Sequence, residues 1–167
     1  VERGTRLVGT PNGSALVVLQ MPRGNLEGCE PRPLVLMKSR LLLADCHYLE
    51  CLLLLRRQKV DMNLLVDHNP TKFVANVNSF VAATLERNPE FLSLLISALD
   101  VGNVCFEKYP IPSLYTNELD ILPAAPVLTI DKRHAVEVDI DAFRWEDKVN
   151  VICTHLRSAL FEYINAR

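Results

Sequence analysis

Apolar and polar positions follow two different periods along this chain. In residues 1–27 the apolar residues cluster in short runs, Thr5–Gly9 and Ala15–Met21, separated by Thr-Pro-Asn-Gly. Asn12 and Gly13 tolerate the positive φ of a tight hairpin turn, so the two runs are predicted to pair as antiparallel strands. The second run is apolar on both faces and needs cover on both sides. A lone hairpin is marginal in water, so these strands are expected to complete a sheet whose other strands lie upstream. Met21-Pro-Arg-Gly-Asn25 then breaks the strand, and the sequence reads there as a corner between sheet and helix, built from Pro22, Arg23, Gly24 and Asn25. Arg23, with five donors, is expected to anchor that corner on main-chain carbonyls.

From Pro31 the period becomes helical. Pro33 suits a first turn, and Leu34, Met37, Leu41 and Ala44 form one stripe. A second helix is predicted from about Cys46 to Lys59, with Arg56 and Arg57 in its last turn. Asn69-Pro70 and Asn88-Pro89 each pair a capping asparagine with a proline suited to a helix start. The first leads into a stripe of Phe73, Val77, Phe80, Val81 and Leu85, the second into Phe91, Leu92, Leu95, Ile96 and Leu99. Asp67, Asn69 and Pro70 are the helix-cap residues of the first start. A last helix, about Glu146 to Asn165, places Val149, Ile152, Leu156, Leu160 and Tyr163 together. Residues 110–145 carry prolines and acids without helical period, and either wrap the helices or are partly disordered. The predicted organisation is mainly α: a strand pair and corner (1–27), helical hairpins (28–109), an acidic proline-containing loop (110–145) and a further helix (146–167). Successive helix–turn–helix units after a sheet edge read as the start of an α-solenoid, although no fixed repeat is visible.

Composition changes this picture little. The 167 residues are 49% hydrophobic and 23% charged, with a net charge of −2, which excludes disordered and fibrous classes. Charge is uneven: residues 1–60 carry nine basic and five acidic side chains, and the remainder nine and fifteen. Arg3, Arg6, Arg32, Lys38 and Arg40 therefore form a candidate basic surface for nucleic acid, with a solvated face as the plainer reading. The five cysteines (Cys29, Cys46, Cys51, Cys105, Cys153) contain no CxxC pair, so buried thiols in a reducing compartment fit better than zinc ligands. Leu41–Leu55 is too short and too interrupted, by Asp45, His47 and Glu50, to span a bilayer. The chain opens in strand-like text without methionine, as expected of a piece of a longer polypeptide.

Catalytic chemistry finds no foothold. There is no P-loop, GxGxxG, HExxH or GxSxG, and His47, His68, His134 and His155 are scattered. Asp67-His68 adjacency does not create a relay. No enzyme activity, cofactor or metal is expected.

Several segments nevertheless resemble one family. Val1-Glu-Arg-Gly4, Val18-Leu-Gln-Met-Pro-Arg-Gly-Asn-Leu-Glu27, Pro33-Leu-Val-Leu36, Arg57–Leu65, Asp67-His-Asn-Pro70, the Tyr109-Pro110 corner and Lys148–Asn165 are similar to the scaffold subunit of the Elongator complex, also called the IκB-kinase-complex-associated protein family. The resemblance covers most of the chain and is most specific in residues 1–70. It implies two N-terminal WD-type β-propellers followed by a long α-solenoid, this chain holding the last strands of the second propeller and the first solenoid helices. It also implies a non-catalytic role in a complex that adds a carboxymethyl-type group to carbon 5 of the tRNA wobble uridine. The chemistry would lie in a separate radical-SAM and acetyltransferase subunit, a partner together with the other Elongator subunits and, through the complex, tRNA. The family's dimerisation region and far C-terminal basic segment are not among these residues. A cytoplasmic and also nuclear location follows from the same resemblance. The rival readings are an independent helical protein-interaction module and a tRNA-contacting basic surface on residues 1–60.

Overall fold

The computed structural model describes residues 2–110 and 144–166, so the expectations for the loop lie, between 111 and 143, outside the described residues. Three short strands, β1 (Arg6–Gly9), β2 (Val17–Gln20) and β3 (Leu26–Cys29), form an antiparallel sheet in the order β1-β2-β3. Leu7 pairs with Leu19 and Gly9 with Val18, so the ladder is irregular at Val8. The expected Asn12-Gly13 turn is present: Gly13 has φ +69°, and Ser14 N–H donates to the Pro11 carbonyl at 3.1 Å.

The expected sheet-to-helix corner is instead a second hairpin. Gly24 N–H donates to the Met21 carbonyl at 2.9 Å and Met21 N–H to the Asn25 carbonyl at 2.8 Å. Pro22 and Arg23 occupy the turn and Gly24 takes the left-handed position at φ +89°, the pattern of a three-residue hairpin loop. The chain therefore reverses, and Leu26–Cys29 pairs along β2 from Gln20 back to Val17. The boundary expected between residues 27 and 28 falls inside this third strand. Its sequence, Leu-Glu-Gly-Cys, carries no strand pattern. Arg23 is exposed, and main-chain bonds close the loop without it.

Among the described residues eight α-helices follow: α1 (Arg32–Ala44), α2 (Tyr48–Arg57), α3 (Leu64–Asp67), α4 (Pro70–Ala75), α5 (Val77–Arg87), α6 (Glu90–Ala98), α7 (Val104–Glu107) and α8 (Lys148–Asn165). The first two end alike. Cys46 N–H donates to the Leu43 carbonyl and His47 N–H to Leu42. Lys59 N–H donates to Arg56 and Val60 N–H to Leu55. Each is a Schellman cap, and its left-handed residue is not glycine: Cys46 has φ +61° and Lys59 φ +51°. The second helix is accordingly shorter at both ends than predicted.

Alpha-helix α1 buries Val35, Ser39 and Leu43 rather than the expected stripe, and leaves Met37 and Leu41 about half exposed. Both faces of this helix are apolar, so periodicity alone could not choose between them. Ser39 decides the packing: its small side chain lets Cys51 of α2 approach to 3.7 Å, and its hydroxyl donates to the Val35 carbonyl. The single helix expected after Pro70 is broken at Asn76, whose side-chain amide donates to the Lys72 carbonyl, and α4 and α5 result. Phe73, fully buried, meets Tyr48 edge-on at 5.3 Å and Phe80 at 5.5 Å. Helix α8 lies along α5 with Ile152, Leu156 and Ala159 inward.

Two substitutions separate the hairpin reading from the corner reading. Gly24→Ala forces a side chain into the left-handed region and is expected to cost about 1–2 kcal/mol, whereas Arg23→Ala is expected to stay within about 0.5 kcal/mol. Urea unfolding of both variants measures this, and an Arg23→Ala loss as large as that of Gly24→Ala would restore the anchoring role.

Candidate functional site: a buried polar junction

Candidate residues from the sequence are placed in two different ways. Asn69 caps α4 as expected, its Oδ1 accepting from Lys72 N–H at 2.9 Å, with Pro70 in the first turn. Asn88 does the same for α6 through Glu90 N–H. Asp67 does not cap its own helix start. It ends α3 and is buried, and its Oδ2 accepts from Val104 N–H, capping α7 from 37 residues away. Its other oxygen accepts from Lys148 Nζ at 2.9 Å.

Lys148 is the first residue of α8 and is fully buried. Besides Asp67, its ammonium donates to Asn63 Oδ1 at 3.1 Å and to the Gly102 carbonyl at 2.9 Å, so that three oxygen acceptors converge on it among the described residues. Asn63 is equally saturated. Its amide donates to Asp61 Oδ1 and the Ala98 carbonyl, and its Oδ1 also accepts from Asp100 N–H. Asp61 binds Lys108 Nζ at 2.5 Å, and its N–H donates to Tyr109 Oη. Among the described residues no buried side-chain nitrogen or oxygen lacks a partner. One network thus joins α3, the α6–α7 connection, α7 and the start of α8.

Burial is the largest influence on the Asp67 carboxyl and pushes it up, while Val104 N–H and Lys148 pull it down without fully compensating. For Asp61 burial also pushes up, but the bonds from Lys108 and Asn63 outweigh it and hold the carboxyl below its usual range. Burial pushes the Cys51 thiol up to about 12 and the Cys105 thiol up to about 11. Both are therefore neutral thiols near pH 7, unsuited to attack. Among the described residues no group of three His, Cys, Asp or Glu side chains could hold a metal.

The basic candidates are dispersed. Arg3, in the turn before β1, and Arg6, on β1, are exposed. Arg32 donates to the Gln58 and Lys59 carbonyls, bracing the α2 C-terminus. Arg40 donates to the Tyr109 carbonyl at 2.5 Å, and Lys38 is half-buried on α1. Two of the five thus serve main-chain acceptors. Glu30, just before α1, bonds Arg57 at 2.7 Å and also Gln58, tying the sheet's exit to the end of α2.

Sequence reasoning missed Asn63 and Lys148. Both carried a signal: Lys148 stands four residues before Ile152, in phase with the buried stripe of α8, and Asn63 stands four before Asp67 around an unbroken Leu-Leu-Val. A polar residue in register with an apolar face either ruins the face or finds a buried partner. Asp61, Asn63, Asp67, Tyr109 and Lys148 all fall in the segments that carried the family resemblance.

A family model described as "ELP1 alpha-solenoid" matches residues 32–125. Elongator complex protein 1 of Rattus norvegicus is 32% identical over 167 residues, 100% of this chain and 11% of that protein. The Schizosaccharomyces pombe protein of the same name is 30% identical over 160 residues, 96% of this chain and 11% of its own length. The one from Arabidopsis thaliana is 43% identical over 117 residues, 65% of this chain and 8% of its own. The chain spans about a tenth of the length of these curated relatives.

Two measurements test the junction. Lys148→Met leaves Asp67 buried without its cation and is expected to cost about 3–5 kcal/mol. The double variant Lys148→Met/Asp67→Asn keeps an acceptor for Val104 N–H, and is expected to be at least about 1 kcal/mol more stable than the sum of the singles; additive losses would show the pair is uncoupled. The second concerns pH. Burial first, then Arg40 and Lys72, hold the His68 imidazole below its usual 6.5. The stability contributed by neutral His68 is complete above pH 6.5 and is lost as pH falls through its depressed folded-state pKa, because the unfolded chain takes up that proton first. The fall in melting temperature between pH 7.5 and 5 is expected to be shallower in His68→Gln; an unchanged slope would remove His68 from the account.

Proposed function

Because the chain belongs to the ELP1 family, the family of Elongator complex protein 1, we propose that it is a non-catalytic scaffold segment, the joint at which a β-propeller passes into an α-solenoid. The observation that carries this reading is the sheet, whose edge strands and large apolar side chains are bare. Leu7, Val8 and Leu26 are each more than half exposed, and both β1 and β3 present unpaired edges among the described strands. A sheet like this is stable only when further strands or another surface cover it, and the closing blade of a WD-type propeller supplies both. The Glu30–Arg57 and Arg32–Gln58 bonds then set the direction in which the helices leave.

In this role the segment transmits position rather than chemistry. The saturated junction at Asp67, Asn63 and Lys148 holds the helical pairs at fixed mutual angles, which suits a body whose partners must be kept in register. The partners proposed are the other Elongator subunits, including the radical-SAM and acetyltransferase subunit, with C5 carboxymethyl-type modification of the tRNA wobble uridine as the activity served. The proposed location is cytoplasmic and also nuclear.

The test is affinity purification of the tagged full-length protein, followed by identification of what accompanies it. Recovery of the radical-SAM subunit and its companions, together with loss of wobble-uridine modification in cells lacking the protein, is the expected result. A well-folded bait that recovers none of them would overturn the reading.

A further inference from the structure

Helix α1 has two apolar faces, and only one is used inside the described structure. Val35, Ser39 and Leu43 face the core, while Met37 and Leu41, one turn apart on the opposite side, are 49% and 48% exposed; half-buried Leu34, a turn earlier, packs against the core. Within α1 the charges beside this stripe are of one sign, the nearest acid being Asp45, the residue that caps the helix's C-terminal end. At 3.6 residues per turn, Lys38 stands to one side of Met37 and Arg40 to the other side of Leu41, and α1 contains no acidic residue at all. Arg40 is steadied from behind by the Tyr109 carbonyl.

We infer that the outward face of α1 is a docking site for an acidic amphipathic helix of a partner protein. Apolar knobs one turn apart flanked by cations are half of a helix-pairing seam, and the matching half carries apolar residues at the same spacing flanked by Asp and Glu. A methionine in the centre suits such a face, because its flexible thioether adapts to the opposing side chains. The stripe is too narrow, and too poor in aromatic residues, for burial in a lipid headgroup layer. The net charge of +4 over residues 1–60 would speed the approach of an acidic partner. The inference deepens the scaffold reading by naming a surface and a partner chemistry, and it rests on that reading only for the complex in which the partner is sought.

The experiment places p-benzoylphenylalanine at Met37 of the full-length protein, purifies it with its bound subunits, irradiates, and maps the cross-linked peptide. The expected product joins Met37 to a helical segment of a different polypeptide whose apolar stripe is flanked by Asp or Glu. Met37→Glu and Lys38→Glu are then expected to weaken binding of that subunit by roughly tenfold or more, as for residues central to an interface, without moving the melting temperature. Cross-links to a second copy, to lipid or to other residues of the same chain would overturn the inference, as would no cross-link within an intact complex. If the cross-linked polypeptide is acidic and helical but not an Elongator subunit, docking stands and the scaffold reading falls. If no protein accompanies the bait, both fall.

Discussion

A lysine ammonium sealed in the interior dictates the arrangement of the helical part. Transfer of an unpaired cation into a dry interior costs several kcal/mol even after relaxation, so Lys148 can be buried only where three acceptors already converge. Those acceptors come from places far apart in sequence: Asn63 and Asp67 from just before and at the end of α3, and the Gly102 carbonyl from the α6–α7 connection. Asn63 and Asp67 are themselves fixed by further bonds, so the site exists only when α3, α7 and α8 are in their final positions. A hydrophobic face tolerates sliding; a saturated polar junction does not. It is the element that turns stacked helices into one defined geometry.

The remaining fold is built around local devices that direct the chain. Two left-handed residues that are not glycine end α1 and α2, which strains the backbone at Cys46 and Lys59 but satisfies the last carbonyls of each helix. Asn76 divides what would be one long helix, and its side chain occupies a carbonyl freed at the break. These turns bring Tyr48, Phe73 and Phe80 into one aromatic cluster. The sheet stands apart from this core, joined to it by Ala15 and by the Glu30, Arg57, Arg32 and Gln58 bonds. That separation is what a joint between two bodies requires. The scaffold reading and the docking face on α1 follow from the same feature, apolar surface that the described residues do not themselves cover.

Much of this was legible in the residues. The change from strand-like to helical period near Pro31, the Asn12-Gly13 turn, the caps at Asn69 and Asn88 and the buried stripe of α8 are local, because each depends on side chains within four positions of one another. The family resemblance was legible for the same reason, since Val18–Glu27 and Asp67–Pro70 are contiguous words. Misreadings arose where local information was degenerate. Proline and glycine at 22 and 24 suit a corner and a three-residue hairpin equally well, and the short strand after them has no pattern of its own. Helix α1, with apolar residues on two sides, offered two possible core faces.

The sequence by itself therefore determined the mainly helical class of the protein, the change from strand to helix near Pro31, the helix starts at Asn69 and Asn88, and its family resemblance. Only the tertiary structure decided which face of α1 meets α2, that Leu26–Cys29 turns back along β2, and that Asp67 reaches forward to Val104 and Lys148 instead of capping its own turn. The physical reason is common to all three. Each outcome is settled by a partner dozens of residues away, and the energy of burying a group, apolar or charged, belongs to the pair and not to either residue alone.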